Sequence, residues 1–318
     1  MKSIFDRSFH IRSPAGTRKR GPSDAEATRA TWEQEDSVPT TRIGDLDLYY
    51  EVTGTGEPLL LIMGLGADAN AWVRQIPVLS ARYRTVTFDN RGVGRSSKPP
   101  GPYSTAQMAD EAAGLLDHLG IDRAHVLGLS MGGMIAQEVT LRHPHRVATL
   151  TLACTYPAAS PEEQAVRTRT FAAFGVNGGT GDGHPALAAI DPLVILQHML
   201  PAAFSERFIR EELPSLLPAL TGNLALGFDI AALLGQVAAC MAHDTIDRLH
   251  QITAPTLVLT GTADRLISPR HSDLLAAHIA GARLVRIPDG PHALNLEMAD
   301  AFNAEVLRFL AAHPLRGG

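Results

Sequence analysis

Uninterrupted apolar runs bounded by turn residues constrain this chain more than any other feature: Leu59 to Met63, Thr85 to Phe88, His125 to Leu129, Val147 to Ala153 and Thr256 to Thr260. Short runs rich in Leu, Val, Ile and Thr suit strands buried on both faces of a parallel sheet. Helical patterns separate them. The clearest spans Thr105 to Leu119, where Met108, Ala112, Leu115, Leu116 and Leu119 recur at spacings of three and four, with Ser104 placed to cap the start and Gly120 the end. Met131 to Leu141, Arg270 to Ile279 and Ala299 to Ala311 read similarly. Alternating strands and helices predict an α/β fold with a parallel sheet and right-handed crossovers. Ahead of them, Leu46, Leu48 and Tyr50 alternate with Asp47, Tyr49 and Glu51, a half-buried strand paired with Thr41 to Ile43 through Gly44-Asp45. These two strands form the expected antiparallel edge.

About a hundred residues between Cys154 and Thr256 break the alternation. They are rich in Ala, Leu and Pro, with a Gly-dense stretch from Gly175 to Gly183 and helical pieces at Pro192 to Met199 and Leu224 to Met241. A segment that long is an insertion with its own structure rather than a connection. Residues 1–38 are polar and lack the apolar stretch of a secretory signal. The organisation expected is a disordered tail over 1–38, a core over 39–156 and 246–318, and a helical cap over 157–245 inserted in that core.

Charge and composition narrow the function. Among 318 residues, 33 acids outnumber 28 Lys and Arg, for a net charge of −5, which is not the footprint of a nucleic-acid binder. No apolar run approaches the roughly 18 residues a membrane helix needs. Cys154 and Cys240 lie far apart and form neither a disulfide framework nor a metal pair, which suits a reducing cytoplasm. The partner expected is a small molecule, with no nucleic acid and no membrane.

Gly128-Leu129-Ser130-Met131-Gly132 follows a strand pattern and opens a helical one. In that strand-turn-helix setting a serine is pushed out at the carboxyl edge of the sheet, and the residues two before and two after it must be small. A serine hydroxyl is a poor nucleophile at neutral pH and needs a base that is itself oriented. The partners follow in the order acid, then histidine. Asp264 lies on the loop beyond the strand Thr256 to Thr260, and His292 follows the strand Arg283 to Ile287 within Asp289-Gly290-Pro291-His292. Of 13 histidines, His292 alone leaves the last strand. Asp289 competes with Asp264 for the acid role, being near His292 in sequence but on the entry side of its loop.

From about Thr41 to His313 the chain resembles an α/β-hydrolase of the cap-bearing esterase and lactonase type, similar to carboxylesterases and 3-oxoadipate enol-lactonase-like hydrolases. Besides the serine, acid and histidine, the family's patterns are matched by Asp89-Asn90-Arg91-Gly92-Val93-Gly94-Arg95-Ser96 and by Gly290-Pro291-His292 followed by Glu297. The resemblance implies a mostly parallel eight-stranded sheet flanked by helices, with Ser130, Asp264 and His292 as a catalytic triad. It also implies an oxyanion hole made by the backbone N–H groups of Leu65 and Met131. Asp89, Arg91 and Glu297 read as structural. Met63 stands where the family's His-Gly-x-Gly pattern has histidine, so that side chain's hydrogen bonds within the loop are lost while the main-chain donor is kept.

Ser130 sets the chain apart from dehalogenases and epoxide hydrolases of similar appearance, which carry aspartate at this position. No cofactor or metal is expected: there is no His-Glu-x-x-His spacing and no phosphate loop. Apolar pocket contributors are expected among Phe171, Phe174, Leu196, Met199, Leu200, Phe204, Leu226 and Phe228, with no arginine cluster to receive a dicarboxylate. Small to medium carboxylic esters lead the substrate classes. A lactonase, a carbon-carbon bond hydrolase and a non-catalytic ligand receptor on the same scaffold are the alternatives.

Overall fold

The computed structural model describes residues 39–165, 169, 199–222 and 229–315. The expected tail, the Gly-dense stretch and, of the pocket candidates, Phe171, Phe174, Leu196, Leu226 and Phe228 lie outside the described residues.

Eight strands form one sheet: β1 (Thr40–Ile43), β2 (Leu46–Thr53), β3 (Glu57–Ile62), β4 (Tyr83–Phe88), β5 (Ala124–Leu129), β6 (Val147–Ala153), β7 (Thr256–Gly261) and β8 (Arg283–Ile287), in the order β1-β2-β4-β3-β5-β6-β7-β8. β1 pairs antiparallel with β2, and β2 antiparallel with β4. All later pairings are parallel. The sequence pattern finds all eight strands, and the two-strand antiparallel edge is as expected. The central strands β5, β6 and β7 are buried at every position, the consequence of helices covering both faces.

The helices are α1 (Ile76–Leu79), α2 (Thr105–His118), α3 (Met131–Arg142), α4 (Glu206–Glu211), α5 (Leu213–Thr221), α6 (Ile230–Ala242), α7 (Arg270–His278), α8 (Leu294–Glu297) and α9 (Ala299–Ala311). Ser104 caps α2 by accepting from the Gln107 N–H, and Gly120 follows it at φ +62°. One face of the sheet packs on α2 and α3 through Leu60, Ile62, Val126, Leu150 and Leu152. The other packs on α9 through Leu59, Leu61, Leu127, Leu257 and Leu259 against Phe302, Val306 and Leu310.

Helices α4, α5 and α6 all come from the β6–β7 insertion. Leu200 and Phe204 are half-buried. They join a small apolar cluster with Phe208, Leu213 and Leu296, and the Phe204 and Phe208 rings stack at 5.1 Å. Among the described residues no helix is long and apolar enough to cross a membrane.

Candidate active site

Strands β5, β6, β7 and β8 are neighbours and parallel, so the residues leaving their carboxyl ends gather at one sheet edge. Ser130 leaves β5, Cys154 leaves β6, and Asp264 and His292 sit on the loops beyond β7 and β8. Ligands of open α/β sheets bind at the carboxyl ends of the strands.

The Ser130 turn is strained and closely built. Its backbone sits at φ 58°, ψ −121°, outside the regions L-residues favour. The turn is held at both ends from the end of β6 and the residues just beyond it: Ser130 N–H donates to Ala153 O at 2.9 Å, and Thr155 Oγ1 donates to Ser130 O at 2.8 Å. A Cβ on Gly128 would lie 2.1 Å from Gly132 O, and one on Gly132 would lie 2.0 Å from Ile62 O. The requirement for small residues on either side of the serine is therefore a backbone-on-backbone contact.

The acid and histidine loops are zipped together. Ala263 N–H donates to Gly290 O, Thr262 N–H to Ile287 O, and Asp289 N–H to Thr262 Oγ1. A side chain at Gly261 would strike Gly290 O at 2.1 Å, which is why both loops carry glycine there. Asp264 Oδ1 accepts from the Leu266 and Ile267 amides, leaving Oδ2 to accept from His292 Nδ1 at 2.8 Å. Both side chains are buried. The competitor Asp289 is exposed and is not the imidazole's partner. Among the described residues Ser130 Oγ makes no hydrogen bond to the other imidazole nitrogen, a contact that in free enzymes is often long.

Cys154 was not foreseen here. Its sulfur, an Asp264 carboxylate oxygen and an His292 ring nitrogen lie within 4.8 Å of one another. Burial, reinforced by the adjacent Asp264 carboxylate, holds the thiol well above its ordinary range. Soft metals need a thiolate, so this environment favours a thiol donating to the carboxylate over a metal ligand.

The loop Met63-Gly64-Leu65-Gly66 runs beside the serine, with Gly64 so close that its Cβ would lie 3.1 Å from Ser130 Cβ. Among the described residues neither the Leu65 nor the Met131 amide donates to a protein acceptor, while the Gly66, Ala67, Ser130 and Gly133 amides do. The loop is held by side chains from outside it. Asn90 Nδ2 donates to Met63 O at 2.9 Å, Gln236 Oε1 accepts from Gly66 N–H at 2.8 Å, and Asp89 Oδ1 accepts from Ala69 N–H at 2.8 Å. Asp89 also accepts from the Arg95 amide and guanidinium. Asn90 carried a signal in the matched motif, but Gln236 carried none, because its partner lies 170 residues away in the chain.

Arg91 and Glu297 are structural in their contacts. Arg91 is buried, pairs with Glu111 and with Asp45, and lies 5.5 Å from the Tyr103 ring centroid. Glu297 accepts from Ser205 N–H and Oγ, while Ala293 N–H, one residue after His292, donates to Ala203 O. The histidine loop is thus tied to the insertion.

Sheet order, strained serine turn and opposing acid and histidine loops define an α/β-hydrolase, and the chain belongs to that family. The model of the alpha/beta hydrolase fold matches residues 57–176. Among individual proteins, it is 33% identical to "Putative carbamate hydrolase RutD" of Azorhizobium caulinodans over 86% of this chain and 98% of that relative. A solved hydrolase structure from Pseudomonas aeruginosa is 32% identical with a TM-score of 0.76, covering 86% of this chain and 98% of its own. The enol-lactonase from Burkholderia xenovorans is 29% identical with a TM-score of 0.75, covering 86% and 100%. The protein is an enzyme of the hydrolase class.

Proposed function

We propose that the protein hydrolyses small to medium carboxylic esters through an acyl-enzyme on Ser130. The buried 2.8 Å bond between Asp264 and His292 at the sheet edge that carries Ser130 supports this reading most. His292 takes the Ser130 proton as Oγ attacks the carbonyl carbon. Asp264 holds the imidazole tautomer and stabilises the imidazolium. The Leu65 and Met131 amides receive the oxyanion. His292 then returns the proton to the leaving alcohol, and water, activated by the same imidazole, releases the acid and restores Ser130. The β6–β7 insertion acts as the cap over this edge.

A second reading is favoured by the relatives. One is named a putative carbamate hydrolase and another an enol-lactonase, and attack on an acyl carbon bearing a heteroatom leaving group, as on an ester, would serve carbamates and lactones alike. A panel of p-nitrophenyl esters of rising acyl length, lactones and alkyl carbamates, with Ser130→Ala as the blank, separates them. The ester reading expects highest kcat/KM on short and medium esters and none in the blank. Turnover confined to carbamates or lactones would replace it, and binding without turnover would turn the site into a receptor.

A further inference from the structure

Gln236 lies on α6, on the insertion rather than on the sheet, and is completely buried. Both ends of its amide are used. Oε1 accepts from Gly66 N–H at 2.8 Å, and Nε2 donates to Arg91 O at 2.7 Å. The two partners make opposite demands, an acceptor for one and a donor for the other, so the side chain has a single satisfied orientation. A buried amide with either end unpaired would be costly.

Planarity of the peptide carries this constraint to the site. Gly64 C=O and Leu65 N–H belong to one peptide and point in opposite directions. Gly64 O accepts from Ala67 N–H at 3.4 Å, closing a turn in which Gly66 sits at φ +69°. The next peptide, Leu65–Gly66, is the one Gln236 holds. Two consecutive peptides are therefore fixed, one by the turn and one by α6. Leu233, three residues before Gln236 on the same helix face, backs the loop: its Cδ1 lies 3.2 Å from where a Cβ on Gly66 would stand.

We propose that Gln236 is a positioning residue of the oxyanion hole, which holds the Leu65 amide toward the reacting carbonyl through the Leu65–Gly66 peptide. The inference rests on the Ser130 reading above. It makes docking of α6 and completion of the hole a single event, so the insertion supplies part of the catalytic geometry as well as covering it.

The test compares full-length Gln236→Met, which keeps volume and removes both hydrogen bonds, with Gln236→Glu. Burial favours the protonated form of that glutamic acid, which can still accept from Gly66 and donate to Arg91. Outright removal of an oxyanion donor lowers kcat by about 10²- to 10³-fold, so its misorientation is expected to lower kcat on p-nitrophenyl acetate by about 10-fold or more, with KM within about 2-fold. A trifluoromethyl ketone, which binds as the oxyanion adduct, should weaken by the same factor as kcat/KM, and p-nitrophenol as product inhibitor, which places no acyl oxygen in the hole, should not. Gln236→Glu should recover most of the lost activity.

Unchanged kcat in a folded Gln236→Met would overturn the proposal, as would equal weakening of both inhibitors, which marks general loosening. If Gln236→Met does not fold, Gln236→Asn, whose amide is one methylene too short to reach both Gly66 and Arg91, takes its place: lower kcat and ketone affinity with unchanged p-nitrophenol affinity support the proposal, and unchanged kcat or equal weakening of both inhibitors overturns it. Failure of the underlying reading is separable, because it shows beforehand as wild-type turnover that survives Ser130→Ala; that result overturns both.

Discussion

At the residue scale, the Ser130 turn depends on backbone positions that leave no room for a side chain. Gly132→Ala would place a methyl 2.0 Å from Ile62 O, where only movement of α3 or β3 could relieve it. Overpacking of this kind costs about 1–3 kcal/mol or more, so the expected outcome is a lowered urea midpoint together with lost hydrolase activity. Retention of both would show that the turn is looser than described. Cys154 gives a second prediction. Its thiol, buried and beside Asp264, is held in the unreactive protonated form. Iodoacetamide at pH 8 should leave Cys154 unmodified in the folded protein and modify it after denaturation, as read by peptide mass spectrometry. Alkylation at the rate of a free thiol would contradict the described environment.

At the scale of elements, four parallel strands bring the serine, thiol, acid and histidine to one edge, and the insertion is tied back to that edge. Ser205 does two jobs in this link: it caps α4 by accepting from Phe208 N–H, and it donates to Glu297 Oε1 at 2.5 Å. Ser205→Ala removes both and leaves a partly buried carboxylate short of one donor. A loss of about 1–2 kcal/mol is expected in chemical denaturation. A change under about 0.3 kcal/mol would mean that this tie is not formed in solution.

Much of this element layout was legible in the sequence because it depends on local patterns. The apolar runs became β3 to β7, and Ala299–Ala311 became α9 with the bounds the periodicity predicts. The serine turn was legible because its glycines answer a backbone contact, and Asp264 and His292 because each follows a strand. What stayed hidden depends on contacts between distant segments. Cys154 closes on Asp264 through strand adjacency, and Gln236 reaches Gly66 only once α6 has docked. Met63 in place of the family's histidine was readable, and Asn90 lies in the matched motif, but Gln236 carried no signal because it shares no local pattern with the loop it holds. Leu200 and Phe204 pack against the cluster around Phe208, a contact that composition does not place.

At the scale of the whole molecule, acid should unfold the protein partly through His243. This side chain sits at the end of α6 beside Thr105, and burial lowers its pKa from 6.5 to about 3. The folded state therefore keeps His243 neutral where the unfolded chain binds a proton. That linkage favours unfolding progressively as pH falls below about 6.5 toward 3, by up to about 1.4 kcal/mol per pH unit. Denaturation midpoints measured across this range should fall less steeply in His243→Gln than in the wild type. Parallel slopes would mean that His243 is protonated in the folded state. The most direct test of the central claim is labelling with a fluorophosphonate, which reacts only with a serine activated by its base. Tryptic mapping by mass spectrometry should place the adduct on Ser130, with no adduct in Ser130→Ala and much slower labelling in His292→Ala. An adduct on another residue, or ester turnover by a protein whose Ser130 stays unlabelled, would contradict the account.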